Sequence, residues 1–307
     1  MDFISVDREK CNQDGICASE CPARIIVMDP KDGYPIPTSD FNDYCLKCGH
    51  CVSVCPMDAL RLEWLGPEKC PAMKKEMAVT PEEAEQFLCG RRSIRTFKEK
   101  KVPRDILQKL LQVACTAPSA KNQQPWHWIV IEDRAEVRKI AVMVIDAMRM
   151  VIQADPQTAM TMGFQRAVAS WDQGCDRICR GAPHLIVAHA DKNWVFGPED
   201  TALALSLLDL YATSLGLGAC WAGYVYKTVN GYPPLFEALG LPLDHLAFGA
   251  MMIGYPKYQY RRIPMRNTPR VAWHPSRPLI DADIQPAKAL NGQKPARRTR
   301  SMSCRKH

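Results

Sequence analysis

Two cysteine-rich stretches constrain the folding of this chain more than any other feature. Residues 45–56 read CLKCGHCVSVCP, and residues 11–22 read CNQDGICASECP. The cysteines of residues 11–22 lie 34 positions before those of residues 45–56, and a proline follows the last cysteine in both stretches. Asp14 occupies the position that Cys48 occupies in the second copy. The chain therefore contains an internal repeat in which one cysteine is replaced by aspartate.

The spacing in residues 45–56, C-x2-C-x2-C-x3-C-P, is typical of bacterial iron–sulfur proteins. Pairs of the form C-x2-C also bind zinc, so a structural zinc site is the alternative. A zinc ribbon needs two such pairs, whereas this segment has a surplus of thiolates, two prolines and a repeat of 34 residues. These features favour an iron–sulfur module over a zinc site.

Residues 1–66 resemble a bacterial two-cluster ferredoxin domain, in which the fourth cysteine of each run ligates the other cluster. The resemblance implies two 4Fe-4S clusters with crossed ligands. Cluster I would be held by Cys11, Asp14, Cys17 and Cys55, and cluster II by Cys45, Cys48, Cys51 and Cys21. A carboxylate is a harder ligand than a thiolate and holds iron less tightly. We therefore expect cluster I to lose one iron readily and to give a 3Fe-4S form.

The composition predicts a soluble globular protein whose excess charge lies in one segment. Hydrophobic residues make up 47% and charged residues 24% of the 307 residues, and the formal net charge is +7. Residues 287–307 hold seven Lys and Arg residues and no acid, so the rest of the chain is balanced and does not predict a nucleic-acid-binding surface. The first residues lack the features of a signal peptide, and no apolar stretch is long enough to span a bilayer. We expect a cytoplasmic protein with reduced thiols and an extended, disordered basic tail at residues 276–307.

A basic motif follows a linker rich in proline and charge at residues 67–84. The sequence RRSIRTF at residues 91–97 places Arg91, Arg92 and Arg95 around Ser93. Forked guanidinium groups beside a hydroxyl suit a bound phosphate. This motif alone is a weak signal, and a solvated basic turn is its alternative interpretation.

Further motifs extend this pattern downstream. Residues 103–114 have the apolar spacing of a helix, and WHWIVI at residues 126–131 predicts a buried strand. The loop between them offers amide and hydroxyl groups that can bind the edge of a planar heterocycle, on Ser119, Asn122, Gln123 and Gln124.

Taken together, RRSIRTF and the sequence APSAKNQQPW at residues 117–126 resemble the FMN-dependent nitroreductase family. LGLGACWAGY at residues 215–224 and IGYPKYQYRRIPMRNTPR at residues 253–270 agree with its later elements. The resemblance covers about residues 85–275. It implies an α+β fold with a mostly antiparallel sheet flanked by helices, following the small ferredoxin unit. It also implies a homodimer with two FMN sites.

The resemblance assigns FMN contacts to four parts of the chain. Arg91, Arg92, Ser93 and Arg95 would hold the phosphate and ribityl chain, Arg266 would return to the phosphate, and Arg262 is a weaker candidate. Ser119 and Asn122 would contact the flavin from the partner subunit, and Gln124 would do the same or brace its loop. Ala222 and Gly223 would offer backbone N–H groups to the N5 edge. No side chain is assigned a catalytic role, because the chemistry would belong to the flavin.

Several of these residues have a structural alternative. Arg92 and Arg262 could be surface charges, and Gly216 and Gly218 could end a helix that begins near Asp200. We interpret Trp126 and Trp221 as core residues, His127 and His184 as core or edge residues, and Cys175 and Cys179 as small core residues on a helix. Residues 145–180, with four methionines, are expected to form an adaptable wall over the substrate.

The combined resemblance predicts an oxidoreductase that passes electrons from the clusters to FMN and reduces nitro or quinone-like small molecules. The expected donor is a low-potential carrier such as a ferredoxin, with NAD(P)H as the alternative. Two other functions remain open: another reduction on the same fold, such as dehalogenation or ene reduction, and electron transfer to a partner protein without a reaction of its own. The sequence predicts no nucleic-acid partner and no membrane partner.

Overall fold

The computed structural model describes residues 3–273 of the chain. The chain divides into two compact units, Met1–Ile263 and Pro264–His307. Residues 264–273 of the second unit are exposed and contain no helix or strand. The predicted disordered tail at residues 276–307 lies outside the described residues. No helix of the described part is both long and apolar enough to cross a membrane.

The internal repeat of the sequence is a repeat of structure. Helix α1 (Ile16–Ser19) and helix α3 (His50–Ser53) lie 34 positions apart, as do strand β2 (Ile26–Met28) and strand β4 (Leu60–Leu62). Strand β1 (Ile4–Val6) pairs antiparallel with β4, β3 (Pro35–Pro37) pairs antiparallel with β2, and α2 (Phe41–Tyr44) follows β3.

The repeat extends to unusual backbone angles. Three pairs of residues separated by 34 positions have positive φ: Gln13 (60°) and Lys47 (50°), Gly15 (71°) and Gly49 (74°), and Arg24 (54°) and Asp58 (51°). Gly15 and Gly49 precede the first residue of α1 and α3 in the left-handed region, which glycine adopts at no steric cost. The two cysteine loops therefore have matching local geometry, including the loop in which Asp14 replaces a cysteine.

A connecting segment joins the repeat to the larger part of the chain. It contains short 3-10 turns at Pro67–Lys69 and Lys75–Met77 and then helix α4 (Pro81–Gly90). Thr80 and Glu83 close the start of α4 with reciprocal hydrogen bonds of 3.3 and 3.0 Å, a capping box. Helix α4 therefore begins within the predicted linker and extends beyond residue 84.

The larger part is built on an antiparallel sheet flanked by helices. Within the described residues its strand order is β5-β6-β8-β7, and every neighbouring pair is antiparallel. Its strands are β5 (His127–Ile131), β6 (His184–Asp191), β7 (Gly218–Trp221) and β8 (His245–Gly254). Its helices are α5 (Arg104–Ala114), α6 (Arg134–Ala154), α7 (Pro156–Met162), α8 (Phe164–Asp172), α9 (Gly197–Ser214), α10 (Gly223–Val229) and α11 (Pro233–Ala238).

The sheet separates two hydrophobic layers, because alternate residues of a strand point to opposite faces. Leu185 and Val187 of β6 pack in one layer with residues of α6, α10 and α11. Ile186 and Ala188 pack in the other layer with residues of α5 and α9. The predicted α+β architecture, with a ferredoxin-like unit before a helix-flanked antiparallel sheet, is confirmed.

Three local predictions are corrected by the structure. The strand predicted at residues 126–131 begins at His127 and is half-buried, because β5 is an edge strand. Trp221, predicted to be a core residue, is 38% exposed, whereas Trp126 is buried as predicted. Gly218 begins β7 and does not cap a helix, while Gly216, with φ of 69°, follows the end of α9 as predicted.

The helix predicted around Cys175 and Cys179 is also absent, because α8 ends at Asp172. The chain instead folds around the Asp176 carboxylate, which accepts hydrogen bonds from the N–H groups of Ile178, Cys179 and Gly181 at 2.8 to 3.0 Å. Cys179 is fully buried there, in agreement with a core role, and Cys175 is exposed.

Candidate functional site

Cysteines from both halves of the repeat line a cavity with apolar walls. The wall includes Ile25, Ile26, Phe41 and Leu62. The four thiols at this cavity are those of Cys21, Cys45, Cys48 and Cys51, the predicted ligands of cluster II. Cys21 comes from the first cysteine run and the others from the second, so the cavity has the crossed arrangement that the sequence predicts.

A second cavity has the complementary set. Its potential ligands are Cys11, Asp14, Cys17 and Cys55, the predicted ligands of cluster I. The Asp14 carboxylate accepts a hydrogen bond from the Ile16 N–H through Oδ1 at 3.0 Å. Its other oxygen, Oδ2, accepts no hydrogen bond within residues 3–273, which fits the prediction that Asp14 takes the place of a cysteine.

The thiols of each cavity are close enough to affect one another electrostatically. Burial, with further contributions from the neighbouring thiols Cys48 and Cys21, raises the pKa of Cys51 to about 12. Burial, with contributions from Cys55 and Cys11, also raises the pKa of Cys17. Thiolates gathered in such cavities need a cationic partner to ionise.

Within residues 3–273, no three His, Cys, Asp or Glu side chains converge closely enough to hold a single metal ion. The thiols instead surround each cavity. This donor set fits an iron–sulfur cluster, which takes one thiolate at each of several corners.

Both cavities also have neighbouring groups within hydrogen-bond distance of a predicted ligand sulfur atom. The Nδ1 atom of His50 lies 3.1 Å from Sγ of Cys48, and the Ala59 N–H donates to Sγ of Cys55 across 3.4 Å. Hydrogen bonds to ligand sulfur influence the reduction potential of a cluster. No sequence motif marks His50, although its position two residues after a ligand is a usable signal.

The basic segment at residues 91–95 lies along the edge of the main sheet. Ser93 bridges to Ala219 of β7, and the Ile94 N–H donates to the Ala219 carbonyl at 2.9 Å. The Arg91 guanidinium donates to the Asp209 carboxylate at 3.1 Å. Burial raises the pKa of the Asp209 carboxyl, and the neighbouring Arg91 partly offsets this effect. The segment is therefore fixed by both the sheet edge and α9.

Arg92 has hydrogen-bonding groups that the described residues leave without a partner. Its Nη1 donates to the Arg91 carbonyl at 2.7 Å, whereas its Nε and Nη2 atoms are buried and make no hydrogen bond with residues 3–273. A buried guanidinium with free donors is costly unless an anion binds it. This observation fits the phosphate of FMN, and it disfavours the surface-charge interpretation of Arg92.

Arg95 opens onto a basic cavity that the sequence motifs indicate only in part. The cavity also contains Trp221 at the end of β7 and Gly223 at the start of α10. Three further cations line it, Arg177, Arg180 and Lys227. No motif marks these three residues, because the fold brings them together from the loop after α8 and from α10.

An apolar cavity of about 390 Å³ adjoins the basic one. Met162, Tyr224 and Lys227 line both cavities. The apolar wall includes Met148, Met150 and Phe164, from the segment 145–180 that was predicted to form an adaptable wall. The basic and apolar cavities are therefore adjoining recesses that share three lining residues.

The loop at residues 119–124 is rigidly held despite its unusual backbone. Lys121, Asn122 and Gln124 all have positive φ, between 48° and 55°. The Asp200 carboxylate accepts the Ala120 N–H at 3.0 Å, and the Ser119 hydroxyl accepts the Gln124 N–H at 2.9 Å. Strained backbone of this kind persists only where the surrounding structure fixes it, and it is frequent at functional sites.

Asn122 connects this loop to the cysteine loop of cluster II. Its Nδ2 donates to the carbonyls of Leu46 and Lys47, at 3.1 and 3.2 Å. Its Oδ1 accepts a hydrogen bond from Nε2 of Gln124 at 3.4 Å. Leu46 and Lys47 lie between the ligands Cys45 and Cys48, so the predicted flavin-contact loop is joined directly to the predicted cluster II loop.

The remaining predicted contacts have different environments. The Ala222 N–H donates to the Ala250 carbonyl at 2.8 Å, so it is not free to reach a flavin, which corrects that part of the prediction. Gly223 begins α10 at the basic cavity. Arg262 is exposed, and Arg266 is an exposed residue of the second unit. Their predicted roles stay predictions.

Comparison with known proteins identifies both parts of the chain. The nitroreductase family matches residues 88–255, more than half of the chain, and the 4Fe-4S dicluster domain matches residues 9–59. A protein of Archaeoglobus fulgidus, named provisionally as an NADH dehydrogenase/NAD(P)H nitroreductase, is 31% identical over 176 residues, which are 57% of this chain and 87% of the relative.

An iodotyrosine deiodinase of Thermotoga neapolitana is 25% identical over 169 residues, which are 54% of this chain and 84% of the relative. A solved nitroreductase with bound FMN from Desulfitobacterium hafniense aligns with a TM-score of 0.49 at 22% identity, over 60% of this chain and 93% of that structure. The predicted resemblances to a nitroreductase and to a two-cluster ferredoxin are confirmed by the two family matches. The chain belongs to the nitroreductase family and carries an N-terminal 4Fe-4S dicluster domain.

Proposed function

We propose that this protein is an FMN-dependent oxidoreductase that passes electrons from two iron–sulfur clusters to FMN and then to a nitro or quinone-like small molecule. The observation that carries the proposal is the pair of hydrogen bonds from Asn122 to Leu46 and Lys47. These bonds join the loop that follows the first ligand of cluster II to the loop assigned to flavin contact. A direct junction of this kind supports the clusters as the electron source.

The basic segment supplies the flavin phosphate site in this proposal. Arg92 offers two buried nitrogen atoms that have no partner within residues 3–273, and Arg91 is oriented by Asp209. Ser93 and Arg95 complete the clamp, and Arg95 also faces the basic cavity. FMN, when bound, supplies both one-electron and two-electron redox chemistry. The cations Arg177, Arg180 and Lys227 give that cavity a positive potential, which favours an anionic, reduced cofactor.

The geometry of α9 supports a site shared between two copies. Asp200 holds the loop 119–124 and Asp209 holds Arg91. The two carboxylates are nine positions apart, which is about 13 Å along a helix and two and a half turns around it, so they point to opposite sides. This placement fits a dimer in which the two anchored groups of one copy serve different flavins. We therefore propose a homodimer in which Ser119, Asn122 or Gln124 of one copy completes the site of the other.

Exposed apolar side chains on α9 support this homodimer. Leu203 of this helix is 45% exposed and Leu215 just beyond it is 36% exposed. Leu207 and Leu210, one and two turns after Leu203, are half-buried. Large apolar side chains left on one side of a central helix are typical of a surface that a second copy covers.

A donor of the NAD(P)H type remains the alternative electron source. The name of the Archaeoglobus fulgidus relative refers to NADH and NAD(P)H. The fused dicluster domain favours a low-potential one-electron carrier such as a ferredoxin for this chain, because the clusters accept single electrons. The many reduced thiols that the clusters require suit a cytoplasmic location.

The acceptor is proposed from the recess beside the basic cavity. Its apolar wall of Met148, Met162, Phe164 and Tyr224 suits a flat, weakly polar molecule such as a nitroaromatic compound or a quinone. Reductive dehalogenation is the second candidate, because the chain is also similar to an iodotyrosine deiodinase. A halogenated phenol would suit the same apolar wall.

We retain the predicted division of the chain as part of this proposal. It places the two-cluster domain at residues 1–66, the linker at 67–84, the FMN-binding domain at 85–275 and the basic tail at 276–307.

The proposal is tested on protein purified without oxygen. We expect FMN, iron and acid-labile sulfide in the wild-type protein, and anaerobic reduction of nitroaromatic or quinone acceptors. Arg92→Gln should lower the FMN affinity about tenfold or more, because charge-assisted hydrogen bonds to the phosphate are lost. Arg104→Gln is the matched control, since Arg104 pairs with Glu132 on the surface.

Wild-type protein without bound flavin, or equal FMN affinity in both variants, would contradict the proposal. Reduction rates measured with matched nitro compounds, quinones and halogenated phenols distinguish nitro or quinone reduction from dehalogenation.

A further inference from the structure

We infer that the ferredoxin part of one copy serves the flavin site whose arginines belong to the second copy. The inference rests on the proposed function, because it requires FMN and a homodimer. It goes further by assigning the electron path to pairs of residues on different copies. Three features of a single chain support it.

The first feature is that the cluster II loop is docked on the flavin-contact loop of its own chain. Asn122 provides both hydrogen bonds of this contact, to the carbonyls of Leu46 and Lys47. Gln124 holds the other end of the Asn122 carboxamide, so the side chain cannot turn away without losing all three contacts. The contact therefore fixes the position of cluster II ligands relative to loop 119–124.

The second feature is that both sides of this contact are rigid. Lys47 and Asn122 both have positive φ, 50° and 55°, which is uncommon for residues other than glycine. On one side the buried Asp200 holds Ala120, and on the other the loop is bounded by the cluster ligands Cys45 and Cys48. A contact between two fixed loops holds each loop in a defined position relative to the other.

The third feature is that the arginines of the same copy are anchored elsewhere. Arg91 is bound to Asp209, on the opposite side of α9 from Asp200. In the homodimer proposed above, the flavin that loop 119–124 touches is the one held by the arginines of the second copy. Since the cluster II loop moves with loop 119–124, cluster II is adjacent to that same flavin.

The test uses heterodimers made from two differently tagged copies. In the split pair, one copy carries Asn122→Ala and the other carries Arg92→Ala. In the joined pair, one copy carries both changes and the other is wild type. The Asn122→Ala change keeps every cluster ligand, so it avoids loss of the ferredoxin fold. Both pairs retain one complete set of arginines, and the FMN content of each is measured so that every rate is expressed per bound flavin.

Dithionite reduces the clusters, and the bleaching of flavin absorbance is followed anaerobically. Each transfer would oxidise one reduced cluster by one electron, and two transfers with one proton from water would give the anionic, reduced flavin. We expect bleaching in the split pair at the wild-type rate, because its retained flavin faces an intact Asn122 on the other copy. In the joined pair the rate should fall about tenfold or more, since a small displacement of reacting groups slows a reaction strongly. Dithionite also reduces the flavin directly. This background rate is the same in both pairs, so the difference between their rates measures transfer from the clusters.

A second readout does not depend on redox turnover. Asn122→Ala should increase hydrogen exchange in the peptide that contains Leu46 and Lys47, whereas Gln123→Ala, an exposed residue of the same loop, should not. Faster bleaching in the joined pair than in the split pair would overturn the inference, and so would equal rates in the two pairs. A wild-type protein that is monomeric or lacks FMN would instead contradict the proposed function, so the two failures are distinguishable.

Discussion

The guanidinium of Arg91 and the carboxylate of Asp209 form a hydrogen-bonded ion pair of 3.1 Å that links the basic segment to helix α9. The side chain of Asp209 is only 10% exposed, and its second oxygen has no partner among the described residues. A buried carboxylate with one unsatisfied oxygen contributes little to stability. The pair is better explained as a device that orients Arg91 toward a ligand.

Asp209→Asn should therefore weaken FMN binding more than it affects folding. The amide keeps the shape of the side chain but loses the charge that holds Arg91, so we expect the Kd of FMN to rise about tenfold. Titration of flavin-free protein with FMN, followed by flavin fluorescence, measures this change. Asp105→Asn, at an exposed position in α5, is the control. Equal affinities in the two variants would show that Asp209 does not orient the phosphate site.

The crossed arrangement of the cysteines predicts which cluster is lost when one cysteine is replaced by serine. Cys21→Ser should abolish the electron paramagnetic resonance signal of cluster II and leave cluster I, because Cys21 lines the cavity of Cys45, Cys48 and Cys51. Cys55→Ser should affect cluster I first, for the corresponding reason. Each change should lower the iron content by up to about four atoms per chain. Loss of cluster I in the Cys21 variant with cluster II retained would contradict the crossed assignment.

Because Asp14 takes the place of a cysteine ligand, we expect one iron of cluster I to be lost easily. Mild oxidation of the wild-type protein should give the signal of a 3Fe-4S cluster, because a carboxylate holds iron less tightly than a thiolate. Asp14→Cys should suppress this conversion and shift the reduction potential of cluster I. Asp43→Cys, an exposed position outside both cavities, is the matched control. An unchanged signal and potential in the Asp14 variant would show that Asp14 does not bind that iron.

Three histidines from neighbouring strands predict a pH effect on stability. Nδ1 of His189 lies 2.9 Å from Nδ1 of His245, and the ring of His127 packs against both. Burial, followed by the neighbouring His245 and His127, lowers the pKa of His189 to about 4. His189 is therefore harder to protonate in the folded state than in the unfolded state. The stability that it contributes above pH 6.5 is lost as the pH falls toward 4.

His189→Phe should reduce this pH dependence. We expect the free energy of unfolding of the wild-type protein to fall by about 1–2 kcal/mol more than that of the variant between pH 7 and pH 4.5. Urea unfolding at a series of pH values measures the difference. Parallel pH curves for the two proteins would show that His189 does not titrate in this way.

Local sequence patterns predicted the parts of the molecule in which neighbouring residues act together. The cysteine runs, their repeat and the apolar spacing of α5 depend on residues close in sequence, and the structure reproduces each of them. The same is true of Gly216, whose positive φ follows the end of α9. These features are determined by spacing and by local backbone preference.

The features that sequence patterns missed depend on contacts between distant residues. Arg177 and Arg180 reach the basic cavity only because Asp176 folds the loop after α8, where the cysteine spacing had favoured a helix. The Ala222 N–H is used by Ala250 because β7 pairs with β8. The docking of Asn122 on Leu46 joins residues 76 positions apart. No local pattern contains this information.

The most direct test of the account is the order in which the cofactors are reduced. Anaerobic stopped-flow mixing compares reduced ferredoxin, NADPH and NADH as donors to the wild-type protein, with cluster and flavin absorbance followed together. We expect reduced ferredoxin to reduce the clusters first and the flavin afterwards, and both nicotinamides to act much more slowly. Rapid reduction of the flavin by NADPH while the clusters stay oxidised would contradict the proposal that the clusters feed the flavin.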